Sequence, residues 1–241
     1  MNIFVAGAAG VIGRPLVTLL VRAGHNVTGT TRSADKTALI AAAGAEPVVV
    51  DVFDAAELMA VVMAAQPQVI IHQLTDLPDQ LDPKAMEVAL DRNARVRIEG
   101  TRNLMAAAAA AGVTRVVAQS IAWMYAEGPK PFRETDPLDV KAAGPRLRTV
   151  GGVVGLESAV LGTPTVAGIV LRYGRLYGPG TWFSAREGAG PLHVDAAAHA
   201  ALLAVTSGSA GIYNIAEDDG MVSIEKAQRD LGFNPAFRLE K

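Results

Sequence analysis

The hydrophobic positions of the chain form two kinds of pattern, short unbroken apolar runs and longer segments with a helical period. The first run is Ile3–Val5, and it is followed by glycines and then by a segment with leucines at Leu16, Leu19 and Leu20. Short apolar runs predict buried strands, and apolar residues three or four positions apart predict helices that cover them. The chain therefore begins with a strand, a tight turn and a helix.

The same alternation continues along the chain and predicts a parallel sheet with helices on both faces. Further strands are expected at residues 26–31, 47–50, 69–72, 115–119, 166–171 and 212–215. Helices are expected at residues 11–23, 34–43, 54–65 and 146–161, and a long helix follows Pro83 and ends in the alanine run 106–111. A chain of 241 residues suits one large domain, so residues 1–241 are interpreted as a single dinucleotide-binding unit.

Three regularly spaced glycines, Gly7, Gly10 and Gly13, follow the first strand. A glycine turn between a buried strand and a helix is typical of sites where a dinucleotide pyrophosphate lies on the helix N-terminus. Gly7 permits a sharp turn, Gly10 lets the backbone approach phosphate, and Gly13 lets the helix pack closely on the sheet. The alternative is a turn that only connects strand to helix. The position directly after the N-terminal strand favours nucleotide binding.

The end of the second strand indicates which nucleotide is bound. NAD sites usually have an acidic residue there, which holds the ribose 2′-hydroxyl. This chain has Thr31, Arg32 and Ser33 instead. The planar fork of Arg32 suits a 2′-phosphate, and Ser33 adds a donor. The alternative is a surface arginine at a strand end, but the glycine turn favours the phosphate, so NADP(H) is the predicted cofactor.

Composition excludes several other functions. The net charge is −2 without a basic stripe, which argues against nucleic acid as the main partner. Cysteine is absent, so disulfides and thiolate chemistry are excluded, and the cytoplasm is the default location. The N-terminal apolar run is too short for a signal or membrane helix, so no membrane association is expected. The four histidines are scattered, which predicts no metal site: His25, His72, His193 and His199.

Motifs spread along nearly the whole chain support one family. They are Gly7-x-x-Gly10-x-x-Gly13, Asp51–Asp54, Ile71–Thr75, Gly100–Leu104, Gln119–Ser120, Leu171–Gly180, His193–Asp195 and Lys226–Phe233. In this order they resemble an extended or atypical short-chain dehydrogenase/reductase of the NAD(P)-dependent epimerase/dehydratase-like type. The resemblance implies a Rossmann-type doubly wound parallel sheet. It also implies an NADP(H)-binding oxidoreductase or epimerase-like enzyme that acts on a small carbonyl or hydroxyl compound.

The resemblance also implies which residues form the site. Asp51 and Val52 would lie by the adenine, and Gln73, Leu74 and Thr75 would line the middle of the cofactor. With the glycine turn, the full cofactor-binding set is Gly7, Ala9, Gly10, Val11, Ile12, Gly13, Thr31, Arg32, Ser33, Asp51, Val52, Gln73, Leu74, Thr75 and Tyr173. Ser120 would be the catalytic serine that bonds a substrate oxygen; a helix or turn cap is the alternative.

The chain departs from the family at the catalytic acid. The family has a tyrosine and, four residues later, a lysine; alignment on Glu157 puts these positions at Thr149 and Val153, which offer neither an acid nor a charge. Tyr125, five residues beyond Ser120, is the predicted replacement donor. Tyr173 and Tyr177 are rivals, and packing of Tyr125 with Trp123 and Met124 is the other interpretation. The departure leaves an alternative function, a catalytically silent NADP(H)-binding protein that acts as a redox sensor or interaction module.

Three further expectations concern the rest of the chain. The spans 181–192 and 216–222 are short for the family, so a reduced C-terminal substrate lobe is predicted at 174–192 and 216–241. His193 and Asp195 are interpreted as a cap of the following helix. The arginines of the long helix are interpreted as a solvated face paired with acidic residues: Arg92, Arg95, Arg97 and Arg102. Asn93, which precedes Arg97 by one turn, is equally consistent with a water-mediated link to the active site.

The family pairs its long helix and the next one across a twofold axis. Here those helices are alanine-rich at 106–111 and contain Gly151, Gly152 and Gly155, so close approach of two copies is feasible. The small residues are equally able to face the sheet. The predicted partners are therefore a small-molecule substrate and a second copy of the chain in a homodimer.

Overall fold

The structure, a computed structural model, describes residues 1–78 and 80–240. The strands within these residues are β1 (Asn2–Ala6), β2 (Asn26–Thr31), β3 (Glu46–Val49), β4 (Val69–His72), β5 (Arg115–Ile121), β6 (Ala167–Tyr173), β7 (Arg175–Tyr177), β8 (Pro191–His193) and β9 (Gly211–Ile215). The helices are α1 (Gly13–Arg22), α2 (Thr37–Ala42), α3 (Ala55–Ala65), α4 (Pro83–Arg95), α5 (Thr101–Ala110), α6 (Gly144–Leu161), α7 (Val194–Leu203) and α8 (Glu225–Leu231).

Seven strands form one parallel sheet in the order β3-β2-β1-β4-β5-β6-β9. The order reverses at β1, so the chain builds outward from β1 in one direction and then from β4 in the other. Ligands of such sheets bind outside the carboxyl ends of the strands at this reversal. The doubly wound parallel sheet predicted from the sequence is confirmed, and it places the glycine turn at the reversal.

Helices cover both faces of the sheet, because the strands bury side chains on both sides. On β1, Ile3 and Val5 join a core with α1, α2, α7 and α8, whereas Phe4 and Ala6 join a core with α3, α5 and α6. Alanine fills much of both cores, since small side chains allow helices to lie close to the sheet. The high alanine content therefore serves packing on both faces.

Several element boundaries differ from the predicted ones. Strand β5 extends to Ile121, so Ser120 lies inside the strand rather than after it. The second helix begins with a 3-10 turn at Ala34–Lys36. The long helix is divided by a π-helical segment, Val96–Gly100, between α4 and α5. The hydrophobic period does not reveal such a segment, because one inserted residue shifts the helix face without interrupting the helix.

The predicted C-terminal lobe contains a two-stranded parallel sheet of β7 and β8. His193 is the N-cap of α7, and its Nδ1 accepts a hydrogen bond from the Asp195 amide at 3.2 Å, which confirms the predicted cap. Asp195 in turn accepts from the Leu239 amide at 3.1 Å and so holds the C-terminal segment. The division of the chain into one domain with a reduced lobe stays a prediction.

Candidate active site

The turn between β1 and α1 contains two glycines, Gly7 and Gly13, that no other residue can replace without strain. Gly7 has φ +88°, and a Cβ there would lie 2.9 Å from the Gln73 carbonyl oxygen at the end of β4. A Cβ at Gly13 would lie 2.2 Å from the Gly7 carbonyl oxygen. The two glycines therefore set how closely α1 and the turn approach the strand ends.

Helix α1 begins with backbone amides that have no acceptor. Among the described residues, none accepts a hydrogen bond from the amides of Val11, Ile12 or Gly13. The N-cap position, Ile12, has no side chain that could cap them, and the first turn has no acidic residue. Unpaired amides at a helix N-terminus attract anions such as phosphate. This end of α1 therefore fits the predicted pyrophosphate site.

Arg32, at the end of β2, is paired with an acidic residue from another loop. Its two terminal nitrogens donate to the two carboxylate oxygens of Asp76 at 3.0 and 2.9 Å. Asp76 lies in the loop that follows β4, so the pair joins the loops on either side of the β1 end. The Arg32 guanidinium holds the pKa of Asp76 below its usual range. The other N–H hydrogens of Arg32 make no hydrogen bond to the described residues.

The other residues predicted around the nucleotide end lie at neighbouring strand ends. The Thr31 hydroxyl donates to the Ser33 carbonyl at 3.3 Å and accepts from the Ser33 amide at 3.1 Å. Asp51 accepts from the Phe53 amide at 2.9 Å, and the Val52 carbonyl accepts from Asn103 at 3.0 Å. The ends of β2 and β3 are thus ordered by local hydrogen bonds.

At the end of β4, buried polar groups collect around Gln73. Its side-chain nitrogen, Nε2, donates to the Tyr173 hydroxyl at 3.3 Å. Its side-chain oxygen, Oε1, is enclosed and has no partner among the described residues. Gln119 donates to the Leu74 carbonyl at 3.2 Å. Burial raises the pKa of Tyr173, so this hydroxyl stays protonated. An enclosed acceptor without a donor fits a bound group with N–H donors. Thr75, next to Leu74, is exposed.

Ser120 and Tyr125 belong to one buried network. The Ser120 hydroxyl donates to Glu157 at 2.7 Å, and Arg172 donates to both oxygens of Glu157 at 2.9 and 2.7 Å. Arg172 also donates to the Tyr125 hydroxyl at 2.9 Å, and that hydroxyl donates to Asn214 at 2.7 Å. The structure therefore brings the two predicted catalytic hydroxyls into one network, with both hydrogens directed at protein acceptors.

Neither hydroxyl of this network faces open solvent. Ser120 is 2% exposed and Tyr125 is 4% exposed, and the Tyr125 ring stacks on Phe132 at 5.1 Å between centroids. Burial raises the pKa of Tyr125, although Arg172 and Asn214 oppose this shift. Proton donation by Tyr125 would require its hydroxyl to leave Asn214. The catalytic roles of Ser120 and Tyr125 stay predictions.

Thr149 and Val153, the positions at which the family's catalytic tyrosine and lysine are expected, lie on α6. Their side chains make local contacts. The Thr149 hydroxyl donates to the Pro145 carbonyl one turn earlier, at 3.2 Å. Val153 is buried and packs with Val150 and Met124. The two side chains therefore support the helix.

One expectation for the long helix is wrong. Arg95 pairs with Glu99 at 2.7 Å on the surface, as predicted, but Arg97 is 6% exposed and lies inside. The π-helical segment turns Arg97 away from the solvated face, and no local feature of the sequence indicates this. Asn93, for its part, accepts from the Asp76 amide at 3.0 Å.

The fold and the glycine turn define an α/β protein whose sheet has, at its carboxyl edge, the features expected of a dinucleotide site. A family model described as NAD(P)H-binding matches residues 7–146. The chain belongs to this NAD(P)H-binding family.

Three known proteins are similar to this chain in sequence or in fold. The 3-diazoavenalumate denitrifying reductase of a Streptomyces species is 42% identical over an alignment of 241 positions that covers 91% of this chain and 77% of the relative. A UDP-glucose 4-epimerase from Thermotoga maritima has a TM-score of 0.79 at 19% identity and covers 99% of this chain and 94% of its own. A dTDP-glucose 4,6-dehydratase from Streptomyces venezuelae, solved with NAD, has a TM-score of 0.77 at 19% identity, over 99% of this chain and 93% of its own.

The two solved structures confirm the epimerase/dehydratase-like fold, and the reductase relative confirms an oxidoreductase. The family confirms a nicotinamide cofactor. No helix within residues 1–78 and 80–240 combines the length and the apolar character needed to cross a bilayer. The same residues contain no cluster of three or more potential metal ligands among histidine and acidic side chains.

Proposed function

We propose that the protein is an NADPH-dependent reductase that replaces the diazonium group of a small arenediazonium compound by hydrogen and releases N2. The main observation behind the proposal concerns the two predicted catalytic hydroxyls, Ser120 and Tyr125. Both donate their hydrogens to protein acceptors, so neither is free to protonate a substrate. The name of the 42% identical relative describes a denitrifying reductase of a diazo compound. The chemistry of such a substrate suits a site without a free proton donor.

The cofactor would be held by groups at three places along the strand ends, two of which lack partners among the described residues. The unpaired amides of Val11, Ile12 and Gly13 would take the pyrophosphate, and Gln73 Oε1 would accept from an N–H group. Arg32 and Ser33 would bind the 2′-phosphate, which favours NADPH over NADH. When bound, the nicotinamide supplies a hydride.

Substrate chemistry distinguishes this proposal from carbonyl reduction. A carbonyl that accepts hydride becomes an alkoxide, and the alkoxide needs a proton or a stabilising charge. A diazonium carbon that accepts hydride forms a C–H bond as its C–N bond breaks, and the leaving group is neutral N2. No proton is consumed in that step. The Ser120–Glu157–Arg172 network then orders the strand end rather than supplying an acid.

The test compares two matched substrates, 4-carboxybenzenediazonium and 4-carboxybenzaldehyde, with NADPH deuterated on one face of C4. We expect enzyme-dependent transfer of deuterium to the diazonium carbon from one face only, with release of N2. Reaction without protein gives the background, and the Tyr125→Phe variant should keep the diazonium activity. Turnover of the aldehyde that Tyr125→Phe abolishes would contradict the proposal and assign Tyr125 as the acid.

A further inference from the structure

The long helix contains a buried cation, Arg97, for which the described residues provide no hydrogen-bond or ion-pair partner. Arg97 lies in the π-helical segment Val96–Gly100 and is 6% exposed. Within the described part of the chain no hydrogen bond of its side chain and no carboxylate within 4.0 Å of it is found, and its nitrogen atoms are not among the fully enclosed ones that lack a partner. π-helical segments inside α-helices occur frequently at functional sites. The segment directs a charged side chain inward at this point.

A glycine on the neighbouring helix makes room for this side chain. A Cβ at Gly152 of α6 would lie 3.3 Å from Arg97 Cδ and 3.1 Å from Ala94 Cα. The stem of Arg97 thus runs along the backbone of α6, one residue before Val153. Helices α4 and α6 therefore approach each other closely at Gly152, where any side chain would crowd Arg97.

Two ionisable groups interact electrostatically with Arg97, and neither forms an ion pair with it. They are His72 and Glu157. The Nδ1 of His72 accepts from the Leu74 amide, and its Nε2 bonds the Thr101 hydroxyl, so the ring is neutral. Glu157 is engaged by Arg172 and Ser120. Among the described residues, the carboxylate that acts on Arg97, Glu157, is therefore shared with Arg172 and Ser120, and no carboxylate lies within ion-pair distance of the Arg97 guanidinium.

The position of these groups connects Arg97 with the site. His72 is the last residue of β4, and Glu157 bonds Ser120 near the end of β5. The carboxyl ends of neighbouring parallel strands meet at one edge, and ligands of open α/β sheets bind there. Arg97 thus lies between the long helix and α6, the helix that also carries Glu157 of the Ser120 network.

We propose that Arg97 binds a carboxylate of the substrate. An unpaired buried charge is unfavourable, so an anionic ligand that pairs with it gains more than one that binds at the surface. A guanidinium presents parallel N–H donors that match the two oxygens of a carboxylate. The proposal deepens the proposed function and rests on it for the reaction, since it specifies an anionic substrate.

Binding can be measured without turnover. Benzoate, benzamide and inorganic phosphate are titrated by calorimetry into the protein with NADPH, and again without nucleotide. We expect benzoate to bind at least tenfold more tightly than benzamide or phosphate. Arg97→Gln should remove this preference, whereas Arg102→Gln, at an exposed arginine one turn further on, should keep it. Equal benzoate affinity in Arg97→Gln and the unmutated protein, or equal phosphate and benzoate affinity, would overturn the proposal.

A stability measurement separates a binding role from a structural one. Arg97→Met removes the unpaired charge and keeps an apolar stem, so the ligand-free variant should melt a few degrees higher than the unmutated protein. A lower melting temperature would show that Arg97 stabilises the fold and would overturn the proposal. Failure of NADPH to bind the unmutated protein would contradict the proposed function alone, because the nucleotide-free benzoate titration still tests Arg97.

Discussion

His72 shows how a single residue is fixed in one protonation state. Its Nδ1 accepts from the Leu74 amide at 3.2 Å, so the proton is on Nε2, which donates to the Thr101 hydroxyl at 2.9 Å. Burial, with the nearby charge of Arg97, lowers the pKa of His72 to about 4. The folded protein therefore keeps this ring neutral while the unfolded chain binds a proton near pH 6.5.

The depressed pKa predicts a pH dependence of stability. Above pH 6.5 the contribution of His72 is complete, and it is lost as the pH falls toward 4, because the unfolded state binds more protons in this range. The loss should reach about 3 kcal/mol. Urea unfolding at several pH values would measure it, with His72→Asn as the control that keeps an acceptor for the Leu74 amide. Equal pH dependence in both proteins would be inconsistent with a neutral His72.

Arg32 is the residue from which we predict the preference between NADPH and NADH. NADPH should bind more tightly than NADH, and Arg32→Ala should narrow the difference by about 1.5–3 kcal/mol, the value of a charged hydrogen bond. Asp76→Asn should widen it, since the carboxylate that holds Arg32 also repels a phosphate. Fluorescence titration of both nucleotides measures the effect, and Arg22→Ala, at the exposed end of α1, is the matched control. Equal affinities in the unmutated protein would rule out the assignment.

At the scale of elements, the β1–turn–α1 unit combines two uses of glycine. A Cβ at Gly13 would lie 2.2 Å from the Gly7 carbonyl, whereas one at Gly10 would lie 3.2 Å from it, and Gly10 is exposed. Gly13 is therefore required by packing. At Gly10 a methyl group would need a shift of only a few tenths of an ångström, and the predicted role of this glycine is toward the phosphate.

This difference predicts separable effects of two alanine substitutions. Gly13→Ala should lower the free energy of unfolding by about 1–3 kcal/mol or more, through overpacking. Gly10→Ala should change stability by less than about 1 kcal/mol but weaken cofactor binding at least tenfold, because backbone approach is blocked. Chemical denaturation and nucleotide titration on both variants measure the two effects. Unchanged nucleotide affinity in Gly10→Ala would refute the phosphate role.

The elements also show how far the sequence could predict the site. The glycine turn, the strand ends and the His193 cap depend on neighbouring residues, so their patterns are visible in the chain. The partner of Arg32 is Asp76, and the partner of Ser120 is Glu157; both contacts depend on strand order. The inward turn of Arg97 depends on a π-helical segment that leaves the hydrophobic period nearly unchanged. Contacts between distant segments were therefore the part that the sequence could not predict.

For the whole molecule, the alternating pattern of strands and helices predicted the parallel sheet. It did not predict which surfaces the glycines of α6 contact. Gly152 and Gly155 face Arg97 and Ile98 of the preceding long helix, so they serve contacts inside the chain. Gly151 meets no atom within 4 Å of a Cβ built there. Close approach of two copies through Gly152 and Gly155 is therefore not the basis for a dimer.

A different feature of α6 supports the expected homodimer. After its first two residues, the exposed positions of the helix follow at alternating intervals of four and three: Leu147, Gly151, Val154, Ser158 and Leu161. This spacing is typical of a seam between packed helices, and Val88 and Ile98 of the long helix are exposed as well. We propose a homodimer with α6 against its copy.

The seam predicts the effect of one charge on assembly. Val154→Glu places a carboxylate at the middle of the seam and should convert the dimer to a monomer, because two like charges would be buried against each other. Met63→Glu, at an exposed position of α3 on another surface, should leave the dimer intact. Light scattering at micromolar concentration measures the mass of each protein. A monomeric unmutated protein would remove the dimer altogether, whereas a dimer that survives Val154→Glu would place its interface away from α6.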